Sequence, residues 1–242
     1  MNSETNRMAD QDFETRTRFA EAARYALMRR LAPVIRHNMA GSLQPIAMVA
    51  GMLERRLQKP DSDPEALLKN ARDIVALSKE AAASCVDLMS WFAPKDDPLV
   101  AVGTGITQCL AMVATELSFK GFSIENRAEQ ADGQLPLSAL RNAFTAAVLA
   151  LTDAAAAPRN ILVEAEPSGD GLSIRITLKN TLAAASMPAG KPYRKIGWGD
   201  VEALAGESAR LSHTEDEAVL HFQSAVEAAE SSRKDLMTAG QA

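Results

Sequence analysis

Cysteine is nearly absent. Cys85 and Cys109 are the only two in 242 residues, too few for a disulfide framework, so an intracellular setting is the default expectation. No apolar run approaches the ~20 residues that would span a bilayer. Positive charge is not in excess either: 26 Lys and Arg face 31 Asp and Glu for a net charge of −5, against the basic footprint of a general nucleic-acid binder. Residues Met1–Arg18 carry both charge signs, unlike a secretory signal or a transit peptide. Aromatics make up only 5% of the chain, while hydrophobic residues reach 47%, rich in Ala, Leu and Met. That is enough apolar surface for real cores, and it tilts toward helix. These features predict a soluble, cytoplasmic protein of one large or two small domains, with no nucleic-acid or membrane partner.

Charge is unevenly spread. The first 60 residues hold ten Lys and Arg against six Asp and Glu, a local +4 that leaves −9 for the remainder. From about Asp12 to Gln58 the pattern is that of one long helix. Met28, Leu31, Ile35, Met39, Ser42, Ile46, Val49 and Leu53 recur at spacings of three and four, the seam of a helical bundle. Asp63 followed by Pro64 is a helix-start signal. A second helix to about Phe92 repeats the seam through Leu67, Ala71, Ile74, Leu77 (or Ser78), Ala81, Cys85, Leu88 and Trp91. Pro94 to Pro98 ends it as a hinge. Two seams on one hairpin need cover, so residues 12–93 are expected to form a homodimeric four-helix bundle. The alternative is a hairpin packed on its own C-terminal domain.

Beyond the hinge the periodicity changes. Residues 104–119 and Pro136 to about Ala156 are helical in pattern, and Phe122–Glu125 alternates as a short strand. Ile161–Glu166 and Leu172–Leu178 are strands joined by Ser168-Gly-Asp-Gly171, a hairpin signal. A short helical turn at Val201–Ala205 precedes a last strand pair, Ala209–Ser212 and Ala218–Phe222. The expected fold class is α+β: the helical hairpin over 12–93, an α/β sandwich over 99–225, and a polar tail over 226–242.

His37 is the foremost candidate for chemistry. It falls on the long helix about 160–180° from Ile35 and Ile46 at 100° per residue, facing away from the seam. Arg30, Pro33, Ala40, Gly41 and Gln44 share its face. Small side chains around one imidazole let another protein approach closely. Arg30 and Arg36 suit phosphate or an acidic partner, and Asn38 or Gln44 could orient the ring. Pro33 and Pro45 each remove one helix bond, at about 3 kcal/mol in a helix interior, and should loosen or bend the helix near the histidine.

The run Arg36-His-Asn-Met-Ala-Gly-Ser-Leu-Gln-Pro-Ile46 resembles the phosphoacceptor motif of sensor histidine kinases, and the helix–turn–helix around it is similar to their dimerisation and phosphotransfer domain. The helix from Leu135 to Asp153 and the following hairpin resemble that family's ATP-binding domain, so the resemblance spans about residues 20–223. Several of the family's residues are missing. Ala150 stands where the metal-holding asparagine would be, with Asn142 two turns early. The strand after Ile174 runs into Lys179-Asn180-Thr181, not the adenine-reading Asp-x-Gly. The glycine-rich lid is reduced to Gly197-Trp-Gly199, and Asn38 replaces the acidic residue that often follows the histidine.

A histidine-bearing dimer with a degenerate ATPase-like domain is similar to the phosphorelay histidine phosphotransferases. The resemblance implies His37 as phosphoacceptor, response-regulator receiver domains as partners, and no cofactor or metal site in this chain, Mg²⁺ coming only with the receiver. The alternatives are a divergent kinase that autophosphorylates from ATP, a pseudokinase-like adaptor, and a purely structural dimer. Other candidates carry weaker signals. His213 and His221 lack metal-ligand spacing. Cys85 sits on the seam, Ser42 and Ser84 have no suggested base, and Gly103-Thr-Gly105 lacks the rest of a phosphate loop. Lys191 with Tyr193-Arg-Lys195 forms a small basic cluster that is a solvated loop or a remnant anion site.

Overall fold

The computed structural model describes residues 2–92, 96–169, 171–181 and 193–223, with side chains from residue 13 onward. The Pro94–Lys95 part of the expected hinge, Lys191, and the tail expected at 226–242 lie outside the described residues. The architecture is α+β. The chain divides into two compact units, Met1–Arg30 with Asp96–Ala242, and Leu31–Lys95. The first thirty residues, of which 12–30 were expected in the hairpin, thus group with the C-terminal part.

In the smaller unit, the later part of helix α1 (Asn2–Leu57) is followed by helix α2 (Pro64–Met89). Helix α1 begins about ten residues earlier than its periodicity suggests and runs unbroken through Pro33 and Pro45. Each proline removes one N–H bond from the helix without ending it. At the turn, Asp63 caps α2 by accepting from the Glu65 amide at 3.0 Å, with Pro64 at the first helical position. Arg56 donates to the Ala66 carbonyl and the Asn70 side chain, both at 3.3 Å. Ser62 Oγ donates to the Arg56 and Lys59 carbonyls.

The predicted seam is the inward one. Leu31, Ile35, Ala81, Leu88 and Trp91 are buried, and Ile46, Val49, Leu53, Ile74 and Leu77 are half-buried. One position differs: Asn70 is buried and Ala71 exposed, because the Asn70 amide meets Arg56. Ser42 Oγ and Ser84 Oγ are hydrogen-bonded across the helix pair at 3.2 Å, so these hydroxyls serve helix pairing.

The larger unit is built on two sheets. A small one pairs β1 (Leu99–Ala101) with β3 (Gln134–Pro136). The five-stranded sheet has the order β2-β4-β5-β7-β6, from β2 (Phe122–Asn126), β4 (Arg159–Ser168), β5 (Gly171–Asn180), β7 (Glu217–Gln223) and β6 (Ala209–His213). Among the described strands only β2 and β4 pair in parallel. Their connection carries β3, α4 (Leu137–Ala139), a π-helical turn (Leu140–Phe144) and α5 (Thr145–Ala154), the long crossover that parallel pairing requires. The other pairs are antiparallel, and β4–β5 and β6–β7 are hairpins.

Alternation sets the faces. Leu172, Ile174, Ile176 and Leu178 are buried with Ala218, Leu220 and Phe222, while Arg175, Thr177, Val219 and His221 between them are half-exposed. Every residue of α5 from Thr145 to Asp153 is buried, as in a central helix packed on all sides, with Thr145, Thr152 and Asp153 as its polar members. Helix α3 (Val102–Phe119) contributes Ile106, Leu110, Val113 and Leu117. At the β4–β5 turn Gly169 has φ +60°, and a Cβ on Gly171 would lie 2.1 Å from the Phe222 carbonyl oxygen. The turn glycines are therefore required by geometry. Gly103-Thr-Gly105 falls in the first turns of α3, where Gly103 packs against the Glu129 carbonyl, a structural use of those glycines.

Candidate functional site

Two groups of residues matter, one in each unit. In the smaller, His37 is exposed on α1 and makes no hydrogen bond or ion pair among the described residues. Gly41 and Gln44, four and seven positions on, are exposed along the same stripe, and nothing lies within 4 Å of where a Gly41 Cβ would stand. Arg36 is exposed and Asn38 half-buried on either side. Neither Asn38 nor Gln44 bonds to the imidazole. The Asn38 carbonyl accepts from Ser42 Oγ at 3.0 Å, and the orienting role expected of these two amides is not present in this structure.

Arg30 is the correction. Expected on the histidine face as a phosphate or partner contact, it belongs to the larger unit, its side chain only 3% exposed. Its Nε donates to both Glu116 carboxylate oxygens at 2.9 Å, and Nη1 and Nη2 reach the two Asp153 oxygens at 3.0 and 2.8 Å. Nη1 also reaches the Arg194 carbonyl at 3.1 Å. A guanidinium so enclosed has no face left for a partner. Helical-wheel arithmetic puts it near the histidine but cannot see carboxylates 86 and 123 residues away.

Asp153 is the centre of this cluster. One of its oxygens also accepts from Lys120 Nζ at 2.8 Å and the other from the Ile196 amide at 3.0 Å, and its main-chain carbonyl accepts from Lys195 Nζ at 2.8 Å. Burial opposes ionisation of Asp153 and Glu116, but hydrogen bonds and attraction from Arg30 and Lys120 outweigh it and hold both carboxyls below their ordinary range. Burial likewise opposes the Arg30 charge, and the two carboxylates override it and raise its pKa. The spacing of Glu116 and Lys120 on one helix face was a visible sign of this cluster; its link to Asp153 was not.

The positions compared with the kinase ATP site are of mixed exposure: Lys179, Asn180, Gly197 and Gly199 are exposed and Thr181 is half-buried. Ala150 is buried, Asn142 is half-buried, and Asp153 has both oxygens saturated by donors. Gly197-Trp-Gly199 opens helix α6 (Trp198–Ala205). Asp200 accepts from the Gly197 amide at 2.9 Å and from both Arg194 terminal nitrogens at 2.7 Å, which depress its pKa with the arginine fork as the main cause. Of the expected basic cluster, Arg194 and Lys195 are thus committed inside the unit. No group of three or more His, Cys, Asp or Glu side chains suited to a metal occurs among the described residues.

Other candidates resolve into structure. His213 stacks on Trp198 at 4.1 Å, and His221 Nδ1 meets Ser173 Oγ at 3.1 Å. Cys109 is fully buried, and burial pushes its thiol up to about 12, which makes it unreactive. A cavity of about 300 Å³ is lined by Arg127, Glu164, Ala165, Glu166 and Arg175. Both of its guanidiniums are engaged, Arg127 by Glu125 and Arg175 by Glu217. No helix among the described residues is long and apolar enough to cross a membrane.

No family model and no curated protein matches the sequence. Solved structures do. The chain is similar to the Acinetobacter baumannii histidine kinase AdeS at 11% identity, over 75% of this chain and 98% of that one, with a TM-score of 0.42. It is similar to a structure described as a bacterial phosphotransferase at 18% identity, over 81% and 94% of the two chains, with a TM-score of 0.34. The catalytic domain of histidine kinase ThkA matches at 8% identity over 53% of this chain and 95% of that one, with a TM-score of 0.39.

Proposed function

We propose that the chain is a dimeric phosphorelay histidine phosphotransferase of two-component signalling, in which His37 carries a phosphoryl group between receiver-domain aspartates. The observation that carries this reading is the exposed, unpartnered His37 on a stripe with Gly41 and Gln44, open to a protein surface. The closed surroundings of Ala150 and the saturated carboxylate of Asp153 favour transfer over autophosphorylation. Exposed Leu43, Met48, Val75 and Val86 on the hairpin helices suit burial against a second copy.

A neutral imidazole is a competent nucleophile toward phosphorus. A ring nitrogen lone pair forms the N–P bond as the P–O bond to the donor aspartate breaks, and that electron pair leaves with the carboxylate. The reverse displacement delivers the phosphoryl group to the acceptor aspartate. Arg36 supplies positive charge on the flank, and the receiver brings the Mg²⁺ that neutralises the transferring oxygens.

The test is transfer from a phosphorylated receiver domain to the full chain. Acid-labile label on the wild type and none on His37→Ala is the expected result. Equal label from Mg²⁺-ATP alone, lost in His37→Ala, would overturn the reading in favour of a kinase. Receiver binding without label would favour an adaptor.

A further inference from the structure

The chain has two tyrosines, Tyr25 and Tyr193, and the larger unit brings them together on its surface. Their rings meet edge-on at 6.2 Å and both are 59% exposed. The Arg29 guanidinium stands over the Tyr193 ring, 5.2 Å from its centroid. Three cations of the same unit are committed to carboxylates: Arg30 and Lys120 to Glu116 and Asp153, Arg194 to Asp200. Arg29 differs. It is exposed and, among the described residues, meets no carboxylate.

We propose that Tyr25, Arg29 and Tyr193 form a docking patch for an acidic segment of a protein partner. The ring restrains the guanidinium while its N–H fork stays free, the arrangement that pairs best with a carboxylate. Two exposed rings offer flat amphipathic area for the methylene stems of Glu or Asp and their neighbours. Tyr and Arg together are the residues in which interface energy concentrates. Both rings and the guanidinium are exposed among the described residues. A free anion would use the guanidinium alone, whereas an acidic peptide also covers the two exposed rings, so charge and rings together favour the peptide. The basic cluster around Tyr193 in the sequence bears on recognition in this altered form, with Arg29 as its free cation. The proposal does not depend on the chemistry of His37.

The experiment titrates the full chain into a fluorescein-labelled twelve-residue peptide of alternating Glu and Leu, beside the same peptide with Gln for Glu. The wild type is expected to bind the Glu peptide at least about tenfold more tightly than the Gln peptide, with affinity falling as salt rises. Arg29→Glu and Tyr193→Ala are each expected to lose about tenfold or more, while Tyr193→Phe and His37→Ala retain binding. Arg29 and Tyr193 are exposed, and unchanged circular dichroism verifies that the variants fold. Equal binding of the two peptides, no binding by the wild type, or full binding by Arg29→Glu would overturn the proposal. Displacement by millimolar inorganic phosphate with Arg29→Glu-sensitive phosphate binding would overturn it in favour of a free-anion site.

Discussion

Replacing Arg30 by Met tests whether the buried ion cluster holds the larger unit together. The substitution keeps an unbranched apolar stem but removes every donor that Arg30 sends to Glu116, Asp153 and the Arg194 carbonyl. Removing one partner of a buried pair costs about 3–5 kcal/mol, because the other charge stays uncompensated. Asp153, only 3% exposed, bears most of that cost, whereas Glu116 at 31% can be rehydrated. Lys120 and the Ile196 amide still serve Asp153, so about 3 kcal/mol is expected, at the lower end of the range. With a urea dependence of about 2 kcal/mol per molar, the midpoint should fall by about 1.5 M. Far-UV circular dichroism against urea reads this directly. The paired variant Arg30→Met with Asp153→Leu removes both buried charges together and should be less destabilised than the two single losses added. A midpoint for Arg30→Met within 0.2 M of wild type (about 0.4 kcal/mol at that slope) would refute the assignment of the cluster as a structural tie.

Because Asp153 and Glu116 are held below their ordinary range, their stabilising contribution is complete above the unfolded-state values near ~4 and is lost as pH falls through the lowered folded-state values. Acid unfolding of the wild type followed by circular dichroism should therefore steepen below about pH 4, and a flat stability profile from pH 5 to 2 would contradict it. Gly171→Ala places a methyl against the Phe222 carbonyl oxygen and should cost about 2 kcal/mol or more in a urea titration. Met48→Glu with Val86→Glu puts charge on the exposed apolar hairpin, and sedimentation should show wild-type dimers and variant monomers. The absence of wild-type dimers at micromolar concentration would count against the bundle.

Much of the fold was legible because local rules act within a few residues. The three–four spacing from Leu31 to Leu53, the Asp63–Pro64 start and the Ser168–Gly171 turn each encode their element in adjacent side chains. The exposure of His37 followed from the same arithmetic, since a residue opposite a seam points away from it. Long-range choices were not legible. Nothing near Arg30 announces Glu116 or Asp153, and a wheel that places Arg30 beside His37 is silent on which charges lie across the fold. The division of α1 at Arg30 is of that kind, as is the turning of Tyr193 toward Tyr25 and Arg29. Periodicity and turn chemistry are properties of neighbours along the chain. Which charge is buried, and which cation is left free at the surface, depends on residues that meet only once the sheet and its helices have packed.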